Sequence, residues 1–161
     1  MENPDTVRDR VAAALAHSPS LDEGRLRRVL DAVAAPVSYV DTELRFRYNN
    51  KAYDLWVGRP HEELYGSHVR ESLGEKAYAE VRPYMEEALA GREANFEREL
   101  EYPDGSRRFV SVSYIPDLDA EGRARGFVAF VRDLTERKRA EEATRFQAHL
   151  LDTVEQAVIA T

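Results

Sequence analysis

The spacing of apolar residues divides the chain into helical ends and a middle that is rich in strands. Apolar residues recur at helical spacing over residues 5–17, and again after Ser20 until Pro36 interrupts the pattern. Ser20 and Glu23 have the spacing of a capping box at the start of the second helix, whose apolar face comprises Leu26, Val29, Leu30 and Val33. The pattern therefore predicts two short helices ahead of the first strand.

Five segments in the middle of the chain have the composition and alternation of β-strands, namely Val37–Val40, Arg45–Tyr48, Ala94–Tyr102, Arg107–Ile115 and Arg125–Arg132. The first two flank a hairpin-like connection at residues 41–44, and turn sequences at residues 103–106 and 119–123 separate the last three. Strands joined by such short connections pair antiparallel. This order of elements, with two strands followed by a helical stretch and three further strands, predicts an α+β domain.

The stretch between the second and third strands has helical signals. Asn50 offers an N-cap for a helix that Gly58 closes. Three further helical segments are predicted, namely Pro60–Leu64, Val69–Leu73 and Glu75–Ala90. Pro83 falls inside the longest of them, and because proline removes a helix hydrogen bond, it is predicted to begin a second, offset helix.

The last part of the chain has the pattern of one long helix. Residues 136–158 are highly charged, contain no glycine or proline, and show heptad spacing at Ala140, Thr144, Gln147, Leu151, Val154 and Val158. A parallel dimeric coiled coil is predicted, with a weak seam because Ala, Thr and Gln occupy three of these positions. The segment Asp133–Lys138 joins the last strand directly to this helix. Such a connection passes a conformational change from one domain to the next.

Composition and charge narrow the range of functions. The 161 residues are 43% hydrophobic and 33% charged, as expected of one globular domain with flanking helices. The net charge of −7 argues against nucleic acid or an anionic membrane as a partner. The absence of cysteine excludes thiolate metal sites, cysteine nucleophiles and Cys-linked chromophores. No membrane-length apolar run, signal peptide or catalytic motif is present, so a cytoplasmic module that is not an enzyme is expected.

Several short sequences, taken in order, resemble the PAS domains of bacterial sensor kinases: Val37-Ser-Tyr-Val-Asp41, Tyr48-Asn-Asn-Lys-Ala-Tyr53, Glu63-Leu-Tyr-Gly66, Pro103-Asp-Gly105 and Gly126–Lys138. The resemblance implies a PAS fold, in which a five-stranded antiparallel sheet carries helices on one face and encloses a small cavity. It places an N-terminal helical flank at residues 1–24, the PAS domain at residues 25–135 and a coiled-coil signalling helix at residues 136–161. In such families the cavity holds haem, flavin, a small metabolite or nothing.

The end of the chain resembles its beginning, since Leu151-Asp-Thr-Val154 corresponds to Leu30-Asp-Ala-Val33. A second PAS domain is therefore expected to begin there, and the chain to be part of a larger protein such as a sensor histidine kinase. The expected function is a sensory or signal-relay module that passes ligand or dimer-state changes through residues 133–138. The alternative is a ligand-free dimerisation or spacer module.

Arg98 is the sharpest candidate for ligand binding. It shares one strand face with Phe96, Leu100 and Tyr102, and a buried guanidinium needs an anion or other acceptors. A clamp for a ligand carboxylate is one interpretation. A salt bridge at the edge of the core, or a side chain that reaches solvent, is the other and carries more weight.

Five more residues are candidates for the cavity lining: Ser111, Ser113, Tyr39, Tyr48 and Trp56. The two serines equally fit a solvated face, and the aromatic residues equally fit the core.

Four residues near the ends of the elements have expected structural or relay roles. The resemblance assigns signal relay to Asp133 and Thr135, and an Asp-x-Thr sequence is also a simple helix cap. Asn50 and Asp41 are expected to have structural capping roles, and Asn50 either caps its helix or ties the hairpin to Asp41.

His61 and His68 are the histidines considered for a metal or haem site. Neither histidine has a second ligand at metal spacing, so no metal site is predicted. The resemblance places an axial haem histidine on the helix at Glu75–Ala90, which has none, and the covalent flavin of LOV photoreceptors needs a cysteine. Haem is thus disfavoured and covalent flavin excluded, while non-covalent flavin stays open. A second copy of the chain and a small molecule of unknown identity are the expected partners.

Overall fold

The computed structural model describes residues 23–159 and confirms the α+β fold, with one antiparallel sheet in the order β2-β1-β5-β4-β3. The strands are β1 Val37–Asp41, β2 Phe46–Asn49, β3 Ala94–Glu101, β4 Arg107–Leu118 and β5 Ala124–Asp133. The helices are α1 Glu23–Asp31, α2 Lys51–Val57, α3 His61–Leu64, α4 Val69–Leu89 and α5 Thr135–Ile159. All five predicted strands are present. The helix predicted at residues 5–17 and the Ser20 cap lie outside the described residues.

The sheet has two faces that are covered differently. Because alternate residues of a strand point to opposite faces, Phe127 and Val131 of β5 pack in the main core beneath α2, α3 and α4. Val128 and Phe130 point the other way and pack against Leu30 of α1. Three helices thus cover one face, here called the inner face, whereas α1 covers part of the opposite, outer face.

Helix α4 corrects one detail of the prediction. It continues through Pro83, which lies on its exposed side, and it is interrupted at Gly74, where φ is 78° and ψ is 160°. Glycine adopts positive φ without the steric cost that a Cβ atom imposes. The offset therefore occurs at the residue whose backbone is least constrained, and the prediction that Pro83 begins a second helix is wrong.

Helix α5 leaves the domain after its first turn. Every residue from Arg139 to Ile159 is exposed, including the large apolar residues Phe146, Leu150, Leu151, Val154 and Val158. No helix within residues 23–159 is long and apolar enough to cross a membrane. The helix thus presents an apolar stripe that nothing in the described part of the chain covers.

Candidate functional site

A small cavity lies between the inner face of the sheet and helices α2 and α4. Its volume is about 30 Å³, which exceeds the need of one water molecule and falls far below the roughly 300–1,000 Å³ of drug-sized ligand pockets. None of the described residues that line it is charged, and its polar groups belong to Ser38, Tyr53, Trp56, Tyr102 and Tyr114. The cavity therefore suits an uncharged occupant of a few non-hydrogen atoms.

The hydroxyl groups around this cavity are neutral. Burial raises the pKa of Tyr53, Tyr102 and Tyr114, so all three stay protonated at physiological pH. Ser38 is 1% exposed, and its Oγ has no hydrogen-bond partner among residues 23–159. A buried hydroxyl left without a partner costs roughly 1–3 kcal/mol. The cavity thus offers one unsatisfied hydroxyl in an otherwise neutral lining.

The predicted ligand-binding residues are divided between the two faces of the sheet. Trp56 lines the cavity. Ser111 and Ser113 alternate with the buried Val112 and lie on the outer face, where the Ser113 hydroxyl donates to Asn95 Oδ1 at 2.6 Å. The prediction of a common lining is therefore corrected, because the sheet separates the serines from this cavity.

Tyr39 and Tyr48 also pack on the outer face, in the cluster around α1. The Tyr39 hydroxyl donates to Asp117 Oδ2 at 2.7 Å, and the guanidinium of Arg27 lies 5.5 Å from the centre of the Tyr48 ring. Burial raises the pKa of both phenols. Both tyrosines stand on the side of the sheet opposite the cavity.

Arg98 shares the inner face with the core but points to α4 at the edge of the sheet. Its Nη1 donates to the carbonyl of Glu80 at 3.1 Å, and its Nε lies 3.8 Å from Glu80 Oε2. The contact falls in the helical turn that Pro83 deprives of one backbone donor. The side chain is 41% exposed and does not line the cavity. Its observed partners are those of the salt-bridge interpretation.

Asn50 is completely buried and connects three elements. Its Oδ1 accepts hydrogen bonds from the backbone N–H groups of Tyr53 at 3.0 Å and Val37 at 2.9 Å. Its Nδ2 donates to the carbonyls of Leu30 and Ala35, both at 3.0 Å. Asn50 thus caps α2 and ties it to α1 and β1.

Asp41 organises the turn between β1 and β2. Its Oδ1 accepts from the backbone of Glu43 and Arg45, and its Oδ2 accepts from Arg47 Nε at 2.7 Å. Burial alone would raise the pKa of Asp41, but these three hydrogen bonds outweigh it and hold the pKa below its ordinary value. These partners lie in the turn and at the start of β2 rather than at Asn50.

The two histidines singled out in the sequence have local partners. His68 caps α4 through Nδ1, which accepts from the Arg70 N–H at 3.0 Å. Desolvation, together with the positive charges of Arg70 and Arg45, lowers the pKa of His68 and favours the neutral ring that this cap requires. His61 lies 3.3 Å from Asp54 Oδ2. Within residues 23–159 no three potential ligand side chains are placed to hold a metal ion.

The start of α5 is fastened to β4 through the backbone of Phe109. The Phe109 N–H donates to Thr135 Oγ1 at 3.0 Å, and the Leu134 N–H donates to the Phe109 carbonyl at 2.7 Å. The Thr135 hydroxyl and N–H both donate to Asp133 Oδ1. Lys138 Nζ lies 5.0 Å from the centre of the Phe109 ring. Asp133 and Thr135 therefore form a turn that holds the helix against the sheet.

Sequence reasoning missed Arg108, which lies beside this junction. Its side chain crosses the edge of the cavity and donates to the carbonyl of Trp56 at 2.6 Å. The alternation that singled out Arg98 applies equally here, since Arg108 precedes Val110 and Val112 on the inner face. That signal was present in the sequence.

Comparison with known families identifies this arrangement. A family profile described as PAS fold matches residues 30–139. The chain belongs to the PAS fold family. This PAS domain is 30% identical over 119 residues to the aerobic respiration control sensor protein ArcB of Escherichia coli (strain K12). The match covers 73% of the chain and 15% of ArcB, so the chain spans only a small part of the relative.

Solved PAS domains have the same fold. A PAS domain from Colwellia psychrerythraea superposes with a TM-score of 0.59 at 18% identity, covering 68% of this chain and 93% of that one. The PAS domain of BvgS from Bordetella pertussis gives 0.52 at 22% identity, covering 77% of this chain and 95% of that one. At these identities the likeness concerns the fold alone.

Proposed function

We propose that this PAS domain is a non-catalytic signal-relay module of a longer cytoplasmic protein, such as a two-component sensor histidine kinase. A change in the sheet or in the dimer passes through Asp133–Lys138 into α5. The observation that carries the proposal is the pair of hydrogen bonds between the Phe109 backbone and residues Leu134 and Thr135. The similarity to a sensor protein supports a role in signalling.

The geometry of the junction explains how such a relay works. Helix α5 makes its hydrogen bonds to the sheet in its first turn, and its remaining residues are exposed. A small displacement of β4 at Phe109 therefore changes the direction of a 25-residue helix whose far end lies many turns away. A ligand or partner shifts such an equilibrium only by binding its two states with different affinity.

The first prediction concerns the hydroxyl group that joins α5 to the sheet. Replacing Thr135 with valine keeps the shape but removes the acceptor for Phe109 N–H, at a cost of about 1–2 kcal/mol. Because the chain has no cysteine, spin labels can be placed uniquely at Glu97→Cys on β3 and at Arg145→Cys on α5, where the side chain is exposed and outside the proposed seam. We expect pulsed dipolar spectroscopy, with spin-diluted protein, to show a narrow distance distribution that Thr135→Val broadens.

Thr153→Val is the matched control, because Thr153 lies outside the proposed seam. The Thr153 hydroxyl donates to the His149 carbonyl of its own helix, at 2.9 Å, and the side chain is exposed. The same chemical change should leave the distance distribution unchanged. A Thr135→Val protein with the wild-type distribution would show that this junction does not direct the helix.

The second prediction concerns the dimer that we propose for α5. Its exposed apolar residues Leu151, Val154 and Val158 have heptad spacing, as the seam of a coiled coil requires. Leu151→Glu places a charge in this seam and should weaken the dimer by roughly tenfold or more in Kd, about 1.4 kcal/mol. Native mass spectrometry and sedimentation over a concentration series measure the Kd of the dimer. Glu155→Gln, outside the seam, is the control, and a wild-type monomer at all concentrations would refute the dimer.

The second candidate function is a ligand-free dimerisation spacer, and the measurements of the helix distances and of the dimer Kd distinguish it from the relay. The small volume of the cavity favours it, because drug-sized ligand pockets are about tenfold larger or more. A spacer dimerises normally, and its helix direction does not depend on Thr135. A relay dimerises and loses its defined helix direction when Thr135 is changed.

A further inference from the structure

The guanidinium of Arg108 packs against the wall of the cavity. Its Cζ lies 4.4 Å from the centre of the Trp56 ring and 4.5 Å from the centre of the Tyr102 ring. Both rings line the cavity, and they meet edge to face with their centres 5.7 Å apart. The Arg108 side chain is only 19% exposed, so these cation–π contacts are partly desolvated and stronger than on an open surface. Any movement of either ring displaces the guanidinium.

Hydrogen bonds hold the same guanidinium between two elements. Nη1 donates to the carbonyl of Trp56 at the last turn of α2, where helix carbonyls lack intrahelical donors. Nε donates to Ser106 Oγ at 3.0 Å and Nη2 to Asp104 Oδ2 at 3.1 Å, both in the turn between β3 and β4. The donors of a guanidinium are fixed in one plane, so they move together. Arg108 therefore joins α2 and this turn as one rigid contact.

Phe109, the residue that follows Arg108, forms the hydrogen bonds that hold the start of α5. Phe109 donates its N–H to Thr135 and accepts from the Leu134 N–H. The Phe109 N–H belongs to the same planar peptide unit as the Cα and carbonyl of Arg108, so these atoms move together. A shift of Arg108 is thus felt one residue later, at the two hydrogen bonds that fasten the helix.

We propose that Arg108 is the positioning residue that couples the cavity wall to the start of α5. This inference rests on the proposed relay and specifies where the input enters, namely at Trp56 and Tyr102. The input is occupancy of the cavity by a small uncharged molecule that satisfies the Ser38 hydroxyl and presses on these rings. Coupling between two sites is reciprocal, so a change at the junction must also be felt at Trp56.

Amide hydrogen exchange of Leu134, measured by NMR on the 161-residue chain, tests the coupling. Arg108→Lys keeps the charge but lacks the planar fork, and Trp56→Leu removes the aromatic face. Each change should speed exchange at Leu134 roughly tenfold, while amides of the β1–β5 pair stay as in the wild type. The double variant should exchange no faster than the faster single variant, because both changes break the same connection. Arg107→Lys is the matched control, since Arg107 is exposed and paired with Glu99 at 3.3 Å.

Trp56 is the only tryptophan, so its fluorescence reports the reverse direction. Thr135→Val should shift its emission in the wild-type background and not in the Arg108→Lys background.

The inference is overturned if Leu134 exchange is unchanged in Arg108→Lys, if the β1–β5 amides accelerate equally, or if the effects of the two single changes on Leu134 exchange add. Should Thr135→Val broaden the helix distances while Arg108→Lys leaves Leu134 unaffected, the relay stands and the role of Arg108 falls. Should Thr135→Val leave the helix unchanged, the relay itself falls.

Discussion

Replacing Asn50 with alanine should lower the free energy of unfolding by about 3–5 kcal/mol, a large share of the roughly 5–15 kcal/mol typical of a small domain. The side chain is fully buried and bonds two backbone N–H groups, of Val37 and Tyr53, and two carbonyls, of Leu30 and Ala35. Alanine removes all four hydrogen bonds and leaves the Val37 N–H and the Ala35 carbonyl without the side chain that they bond, whereas Tyr53 and Leu30 keep a backbone partner. Urea denaturation followed by circular dichroism measures the change.

Two further variants sharpen this experiment. Asn95→Ala removes an exposed amide from β3 and should cost no more than about 0.5 kcal/mol. Asn50→Ser keeps a cap for Tyr53 but cannot reach the carbonyls of Leu30 and Ala35, so its loss should lie between the other two. Equal losses for Asn50→Ala and Asn95→Ala would show that this network does not hold α1 and α2 to the sheet.

The alternation of residues predicted the strands and the faces of the sheet well. In β3 and β4 the apolar positions recur every second residue, so the faces of Arg98 and of Ser111 follow from the pattern alone. The same pattern places Arg108 on the inner face. The alternation pattern does not show which helix a side chain of the strand will contact. Only the fold shows that Arg98 meets the carbonyl of Glu80 and that Arg108 meets the carbonyl of Trp56.

Long-range contacts explain the predictions that failed. Pro83 has a strong local preference against a helix interior, but the packed turns of α4 around Val81 and Met85 override it. Asn50 was expected either to cap its helix or to tie the hairpin to Asp41. It caps the helix, and its amide also reaches Leu30 of α1 and Ala35, which lie 20 and 15 residues earlier in the chain. Pairings of this kind depend on how the helices pack, which no local pattern encodes.

The position of Trp56 changes the interpretation of the site. One interpretation of Arg98 was a clamp for a ligand carboxylate, yet the lining of the cavity is neutral. The charged group at its edge is Arg108, which is already paired with Asp104 and with the Trp56 carbonyl. A charged ligand would have to displace these partners or be buried alone, and burying an unpaired charge is very costly. An uncharged molecule faces neither cost.

Replacing Gly126 with alanine should destabilise the domain by about 3 kcal/mol, because it forces side-chain atoms into a closely packed strand pair. A Cβ atom at this position of β5 would overlap the Val40 carbonyl oxygen of β1 and would lie 2.8 Å from the Tyr39 hydroxyl. Relief requires moving the backbone of β1 away from β5 and also displacing the Tyr39 hydroxyl from Asp117. Gly122→Ala in the same hairpin is the matched control. Its φ is +80° but it has open space around it, so it should cost only about 1–2 kcal/mol of backbone strain. Adding Tyr39→Phe removes the hydroxyl contact but not the carbonyl contact, so it should rescue little of the loss. Thermal unfolding of the wild type, the two glycine variants and the double variant measures these losses of stability. If Gly122→Ala and Gly126→Ala lost equal stability, backbone strain alone, and not the approach of β1, would require glycine at position 126.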